Sequence, residues 1–301
     1  MKNNAIPTVS LNNGGQIPAL GYGVAGLNKG DILNRAIEIT LEEGYRMFDN
    51  APFYGNEAEV GAALRSSGVK REELFISTKL PNDCHAYDDA LRAFHKSRTA
   101  MGLDYLDMYL IHHPMPLRGK FCEAWKALEK LYEEGLVRTI GISNFKERHI
   151  EQILATCKVK PMVNELECNP YFTIAPLRKY CDEHEIRVVT WFPLGGPVVP
   201  PPPIPPRPPG FKILTEDGTL KDIGAKYGKT PAQVALRWAV DSGMIPIPKS
   251  GKPGRIKENA LIFDFCLTAE ELGRIEALDQ DRRLGPDPDI YDDDAAVAMD
   301  V

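Results

Sequence analysis

A parallel (β/α)8 barrel is the fold the sequence predicts, and three observations predict it. Short apolar stretches of strand character alternate with amphipathic stretches of helical period, and from Leu20 onward the pair recurs eight times. The chain has 301 residues, enough for one large barrel or two ordinary domains. Asp49, Lys79 and His112 stand at the C-terminal ends of predicted strands, the end at which barrels of this kind keep their chemistry.

Residues 8–11 and 16–20 flank Asn12-Asn13-Gly14-Gly15 and read as a β-hairpin ahead of the repeat, placed to plug or cap it. Gly21-Tyr22-Gly23-Val24-Ala25-Gly26 follows, a literal GxGxxG. A dinucleotide fingerprint needs a clear βαβ unit with its acid closing the second strand. Asp49 is roughly placed for that, but it belongs with Tyr54, so the glycines read better as a tight first barrel strand. Further strands are expected over 46–48, 74–78, 106–111, 137–142, 162–168, 187–192 and 244–247. Helices are expected over 32–43, 57–66, 87–101, 120–134, 147–157, 174–184, 232–242 and 255–262. A last helix over 269–278 starts from Thr268, with Glu271 placed for a capping box. The whole chain reads as one domain, with its core over about 8–279.

Composition excludes several classes. The chain is 43% hydrophobic with a net charge of −6, and its mild acidity argues against nucleic acid as a partner. It has no apolar run long enough to span a membrane, and residues 1–7 lack the apolar segment of a secretory signal. Six scattered cysteines without a CxxC pair read as reduced thiols, hence a cytoplasmic protein with neither a disulfide frame nor a metal site.

The strand ends suggest a reaction. Reduction of a carbonyl by hydride needs a proton donor at the carbonyl oxygen. A tyrosine, with its ordinary pKa of about 10, keeps its proton at neutral pH but releases it reluctantly. A nearby ammonium favours the phenolate, a carboxylate orients that ammonium, and a neutral imidazole can hold the substrate oxygen. Tyr54, Lys79, Asp49 and His112 are those four groups, and parallel strands bring them to one rim.

Read together, these residues resemble the aldo-keto reductases over roughly 9–279. The resemblance rests on Gly44-Tyr45-Arg46, Asp49, Tyr54-Gly55-Asn56-Glu57, Thr78-Lys79-Leu80 and Leu110-Ile111-His112-His113-Pro114. It continues through Gly141-Ile142-Ser143-Asn144-Phe145, the stretch from Asn164 to Pro170, Ile247-Pro248-Lys249-Ser250, Arg255-Ile256 and Glu258-Asn259. It implies a barrel that reduces aldehydes and ketones with NADPH, with NADH as a second candidate, and without metal. Tyr54 would be the proton donor, tuned by Lys79 and Asp49, with His112 orienting the carbonyl. Ser143, Asn144 and Glu165 would hold the nicotinamide carboxamide, and Trp191 would stack on the ring. Lys249, Ser250, Arg255 and Asn259, with Glu258 beside them, would serve the adenosine 2′-phosphate, a role that basic side chains and a hydroxyl near a helix start also support physically. Tyr22, Ala25, Phe53, Pro81 and His113 would line the substrate pocket. The partner is a small carbonyl compound, and a monomer or weak dimer is expected. The alternative is a regulatory subunit that binds NADPH with little turnover.

The chain departs from the family pattern in places. Glu165 replaces the usual Gln, and an ionised carboxylate cannot donate to a carboxamide oxygen. Met47 and Asn50 are milder departures. Ala25, Pro81 and His113 stand where large aromatics are common, implying a wider, less apolar pocket. The loop over 193–209 holds ten prolines in seventeen positions, stiff enough to make clamping over a cofactor doubtful. Its stretch from Pro202 to Arg207 also fits an SH3-type ligand pattern. The acidic tail over 287–300 reads as mobile or partly ordered, within reach of the substrate.

Overall fold

The structure is a computed structural model that describes residues 6–27, 30–196 and 212–291. The stretch over 197–211, with its ligand-like pattern, and the tail beyond 291 lie outside the described residues.

Two antiparallel strands, β1 (Thr8–Ser10) and β2 (Gln16–Pro18), form the predicted hairpin. Asn12 Nδ2 donates to the Pro161 carbonyl at 2.9 Å, and Asn13 Nδ2 to that of Arg138 at 3.3 Å. Both carbonyls lie where barrel strands begin, so the hairpin caps the end opposite the chemistry.

Eight parallel strands follow in unbroken order: β3 (Gly21–Gly23), β4 (Met47–Asp49), β5 (Phe75–Leu80), β6 (Leu106–Ile111), β7 (Val137–Ser143), β8 (Val163–Glu167), β9 (Arg187–Trp191) and β10 (Ile245–Pro246). Gly23 N donates to the Pro248 carbonyl at 3.2 Å, which brings the last strand back to the first. A Cβ on Gly21 would stand 2.8 Å from Ile247 Cγ2, so glycine is what lets the ring close this tightly. Gly21 and Gly23 therefore serve barrel closure, as the first-strand reading expects.

Around the ring stand α1 (Asp31–Glu42), α2 (Glu57–Ser66), α3 (Tyr87–Met101), α4 (Phe121–Glu133), α5 (Glu147–Leu154), α6 (Ala175–Glu183), α7 (Gly218–Tyr227), α8 (Pro231–Asp241), α9 (Pro253–Ala260) and α10 (Ala269–Glu276). The sequence reading lacks α7. Its start is an Asp217 cap whose side chain accepts from Thr219 N and Leu220 N. The expected Thr268–Glu271 capping box is present, with Thr268 Oγ1 accepting from Glu271 N at 3.2 Å and Glu271 Oε2 from Thr268 N at 2.9 Å. Helix α5 ends three residues early, and α9 begins at Pro253, a residue suited to a first helical turn.

Register decides which side chains reach the site. Pairing of Asp49 with Ser77, Lys79 with Leu110, and Ser143 with Glu165 puts these residues on the inner face. Phe48, Ile76 and Tyr109 alternate outward and are fully buried under the helices.

Close helix packing generates a paired prediction. A Cβ on Gly61 of α2 would lie 2.2 Å from the Met101 carbonyl oxygen, whereas one on Gly273, on the exposed side of α10, meets nothing within 4 Å. Gly61→Ala is expected to destabilise by about 1–3 kcal/mol in urea unfolding. Gly273→Ala is expected to stabilise by about 0.5–1 kcal/mol. A Gly61→Ala chain as stable as the parent would contradict the packing.

Candidate active site

The four residues singled out from the sequence converge at the C-terminal rim. Lys79 sits on β5 with no exposed surface. Its Nζ donates to Asp49 Oδ2 at 2.6 Å, to Asp49 Oδ1 at 2.7 Å and to the Asn50 carbonyl at 3.1 Å, and lies 3.2 Å from Glu165 Oε1. Asp49 Oδ1 also accepts from the Ser77 hydroxyl at 2.8 Å. Tyr54 ends a short 3-10 turn, Pro52–Tyr54, closed by Gly55 at a φ of 65°, a left-handed conformation suited to glycine. Lys79 Nζ stands 5.5 Å from the centre of the Tyr54 ring. His112, directly after β6, meets that ring edge to face at 6.4 Å between centroids.

These surroundings set protonation. Burial raises the Tyr54 pKa and outweighs Lys79, which lowers it, while Asp49 and Glu165 add to the rise. The expectation that the ammonium pulls the phenol down thus holds for the direction of its own effect but not for the sum. The phenol stays protonated, as a proton donor must. Burial works against the charged form of Lys79, yet Asp49 and Glu165 together raise its pKa and keep it an ammonium. Burial holds His112 well below the usual imidazole range, and His113, Lys79 and His85 push the same way. His112 is therefore neutral.

Beyond the tetrad, Ser143 Oγ donates to the Glu165 carbonyl at 3.0 Å and accepts from Asn144 Nδ2 at 3.0 Å. Asn144 Nδ2 also reaches the His112 carbonyl at 3.0 Å, and its Oδ1 accepts from Trp191 Nε1 at 3.0 Å. One polar string thus links Glu165, Ser143, Asn144, His112 and Trp191. Within it, Glu165 Oε2 is buried and has no hydrogen-bond partner among the described residues. Burial raises the Glu165 carboxyl to about 8, with Asp49 adding and Lys79 opposing.

At the far side of the mouth, Lys249 and Ser250 precede α9, and Arg255 lies exposed in its first turn. Ser250 Oγ accepts from Lys252 N at 3.0 Å, and Asn259 is buried in the same helix. The Glu258 carboxylate accepts instead from the Thr230 hydroxyl, tying α9 to α8. A helix start flanked by Lys249 and Arg255 suits a phosphate, and a buried orphan oxygen at Glu165 suits a hydrogen-bonding or cationic group. The residues present therefore fit the two ends of a phosphorylated nicotinamide dinucleotide.

Tyr22 is a correction. It pairs with outward-facing Phe48, is 2% exposed, and donates its hydroxyl to the Ser250 carbonyl at 2.5 Å. It faces the helix layer and anchors the loop before α9; it does not line the mouth. Phe53 meets the His112 ring at 6.4 Å, and Ala25 and Pro81 are half-buried just past the ends of β3 and β5. His113 is buried, and burial lowers it to about 3. Its ring lies 4.8 Å from that of Tyr291. Tyr291 and Glu167 escape the sequence reading. Glu167 accepts from Leu284 N and Gly285 N, both at 2.8 Å, and Lys146 Nζ holds Asp287 at 2.7 Å and Asp289 at 2.8 Å. The described start of the acidic tail is thereby pinned over the mouth. Glu167 was legible, two residues beyond Glu165 on one strand; nothing local marks Tyr291.

Comparison with known proteins agrees with this geometry. Residues 19–280 match the model of the Aldo/keto reductase family. The chain is 42% identical to a 9,11-endoperoxide prostaglandin H2 reductase of Trypanosoma cruzi, over 94% of this chain and 95% of that protein. It is also 42% identical to a glyoxal reductase of Bacillus subtilis, over 94% and 96%. Among solved structures, an aldo-keto reductase of Bombyx mori in complex with NADP superimposes with a TM-score of 0.84 at 35% identity, covering 95% of this chain and 96% of that one. With a family model spanning the barrel and relatives similar along nearly their whole length, the chain belongs to the aldo/keto reductase family.

Proposed function

We propose that Tyr54 is the proton donor of an NADPH-dependent reductase that converts aldehyde or ketone carbonyls to alcohols. NADPH, when bound, supplies the hydride to the carbonyl carbon. The carbonyl oxygen takes its proton from the Tyr54 hydroxyl and is oriented by the neutral His112 imidazole. The Lys79 ammonium stabilises the phenolate that Tyr54 becomes, and Asp49 fixes that ammonium in place. Glu165, Ser143 and Asn144 bind the carboxamide end of the nicotinamide, and Trp191 covers the ring. Lys249, Ser250 and Arg255, with Asn259, take the 2′-phosphate. The substrate approaches between Phe53, His112, His113 and Tyr291.

The observation that carries this reading is the meeting of buried Lys79 with buried Asp49 at 2.6 Å, beside the Tyr54 ring. A regulatory subunit without turnover draws no support from relatives that are themselves named as reductases. We place the enzyme in the cytoplasm, as one barrel domain acting as a monomer or weak dimer. The cysteine pattern favours a reducing compartment, and no helix among the described residues is long and apolar enough to cross a membrane.

Two outcomes test the assignments. Tyr54→Phe is expected to lose roughly 100- to 10,000-fold in turnover of a small aldehyde such as glyoxal. NADPH affinity, read by fluorescence quenching, should stay within about threefold of the parent. A variant with near-parental turnover would remove the proton-donor role. Arg255→Leu is expected to weaken NADPH binding by roughly 10-fold or more while leaving NADH nearly unchanged. Equal losses for both nucleotides would place the 2′-phosphate elsewhere.

A further inference from the structure

We propose that Glu165 couples the redox state of the bound nicotinamide to one proton, ionised against the oxidised ring and protonated against the reduced one. The inference rests on the reading above that brings the nicotinamide to Glu165.

Its basis is a count of charges. Asp49, Lys79 and Glu165 form one cluster, each no more than 2% exposed, with one cation and two carboxyl groups. Lys79 directs its shortest contacts to both oxygens of Asp49 and to the Asn50 carbonyl, leaving Glu165 Oε1 at a longer 3.2 Å. Glu165 Oε2 accepts no hydrogen bond from the described residues. With both carboxyl groups ionised, the pocket holds one uncompensated negative charge, which burial makes costly. Two additions relieve it directly, a proton on the carboxyl pair, which Glu165 carries where Lys79 is committed to Asp49, or a cation beside Oε2. The oxidised nicotinamide ring carries a positive charge and the reduced ring carries none. The first therefore favours the carboxylate and the second the neutral acid. The neutral acid also regains an O–H that can donate to the carboxamide oxygen, as a glutamine amide would.

The groups acting on Glu165 from neighbouring elements are Asp49 of β4, Lys79 of β5 and Tyr54 of the 3-10 turn. The flanking strands contribute Ser143 and Val189 in register, neither of which titrates in this range. Glu167, further along β8, is taken up by the Leu284 and Gly285 amides. Burial raises Glu165 to about 8, so the exchange falls in the physiological range.

Linkage fixes the sign. A ligand that prefers the ionised form binds more tightly as pH rises toward the free protein's pKa, and it releases a proton on binding below that pKa. The ratio of the NADPH dissociation constant to that of NADP+ should thus climb with pH. Ionisation of the 2′-phosphate is common to both nucleotides and cancels in the ratio.

The test is titration of the full chain with each nucleotide between about pH 6 and pH 9, in the parent and in Glu165→Gln. The parent ratio is expected to rise by about tenfold, and the variant ratio to stay within about twofold. Calorimetry of the parent alone, in two buffers of different ionisation enthalpy at about pH 7, should show proton release with NADP+ and little with NADPH, a readout that does not depend on the variant folding. A parent ratio independent of pH, equal proton release with both nucleotides, or a Glu165→Gln chain that keeps the parental slope would overturn the proposal. If the parent binds neither nucleotide, the reading on which it rests fails too, and that result looks different from flat but measurable binding.

Discussion

The site depends on one buried ammonium. Lys79 Nζ holds Asp49 through both carboxylate oxygens, touches Glu165 and stands beside the Tyr54 ring. A lysine without solvent contact is stable only where its charge is matched and its protons are accepted. The barrel supplies that match through register. Asp49 ends β4 opposite Ser77, and Lys79 lies two residues further along β5 on the same inner face, so its side chain meets the carboxylate across the strand boundary. Shifting either strand by one residue would turn the group outward into the helix layer. The ion pair and the sheet pairing therefore specify each other.

The same ammonium explains why the neighbouring groups hold the protons they do. Tyr54 is drawn toward phenolate by Lys79 and away from it by burial, Asp49 and Glu165, and it remains a phenol. A phenol beside a fixed cation has its conjugate base stabilised in advance, so the cost of releasing a proton is met by groups already oriented. His112 is kept neutral by burial and by the same positive charge, and a neutral ring can hold a substrate oxygen without competing to protonate it. Both protonation states thus follow from one enclosed, densely charged rim.

Much of this is legible in the sequence. The alternation of strands and helices, the strand-end positions of Asp49, Lys79 and His112, and the hairpin ahead of the ring all follow from periodicity and turn residues. Glu165 was visible as a departure, but its meaning was not. Sequence shows a carboxylate in place of an amide; only the structure shows that Lys79 is already committed to Asp49 and that Oε2 has no hydrogen-bond partner among the described residues. The outward direction of Tyr22 is legible in strand parity. The residue lies between Gly21 and Gly23, whose partners Met47 and Asp49 face inward, so parity alone sends it outward. Helix α7 is masked by the proline-rich stretch it follows, although the Asp217 cap and the left-handed Gly228 at its end mark both of its boundaries. Tyr291 reaches His113 from the end of the chain, a contact no short-range pattern encodes.

The start of the tail shows how an irregular segment can order one wall of the barrel mouth. A Cβ on Gly285 would lie 2.4 Å from the far edge of the Trp191 indole, so only a glycine backbone can cross there. Glu167 fixes that crossing by accepting the Leu284 and Gly285 amides, and Lys146 holds the next turn through Asp287 and Asp289. On its other side the indole donates to Asn144, which also hydrogen-bonds the backbone of His112. Trp191 is therefore gripped at two edges by groups that are not aromatic. Its face stays fixed in direction, and rotamer freedom that binding would otherwise remove is already spent in folding. The stretch of chain least regular in its pattern thus positions the ring proposed to cover the nicotinamide, and it does so through backbone amides that any sequence of small residues could present only if glycine stood at 285.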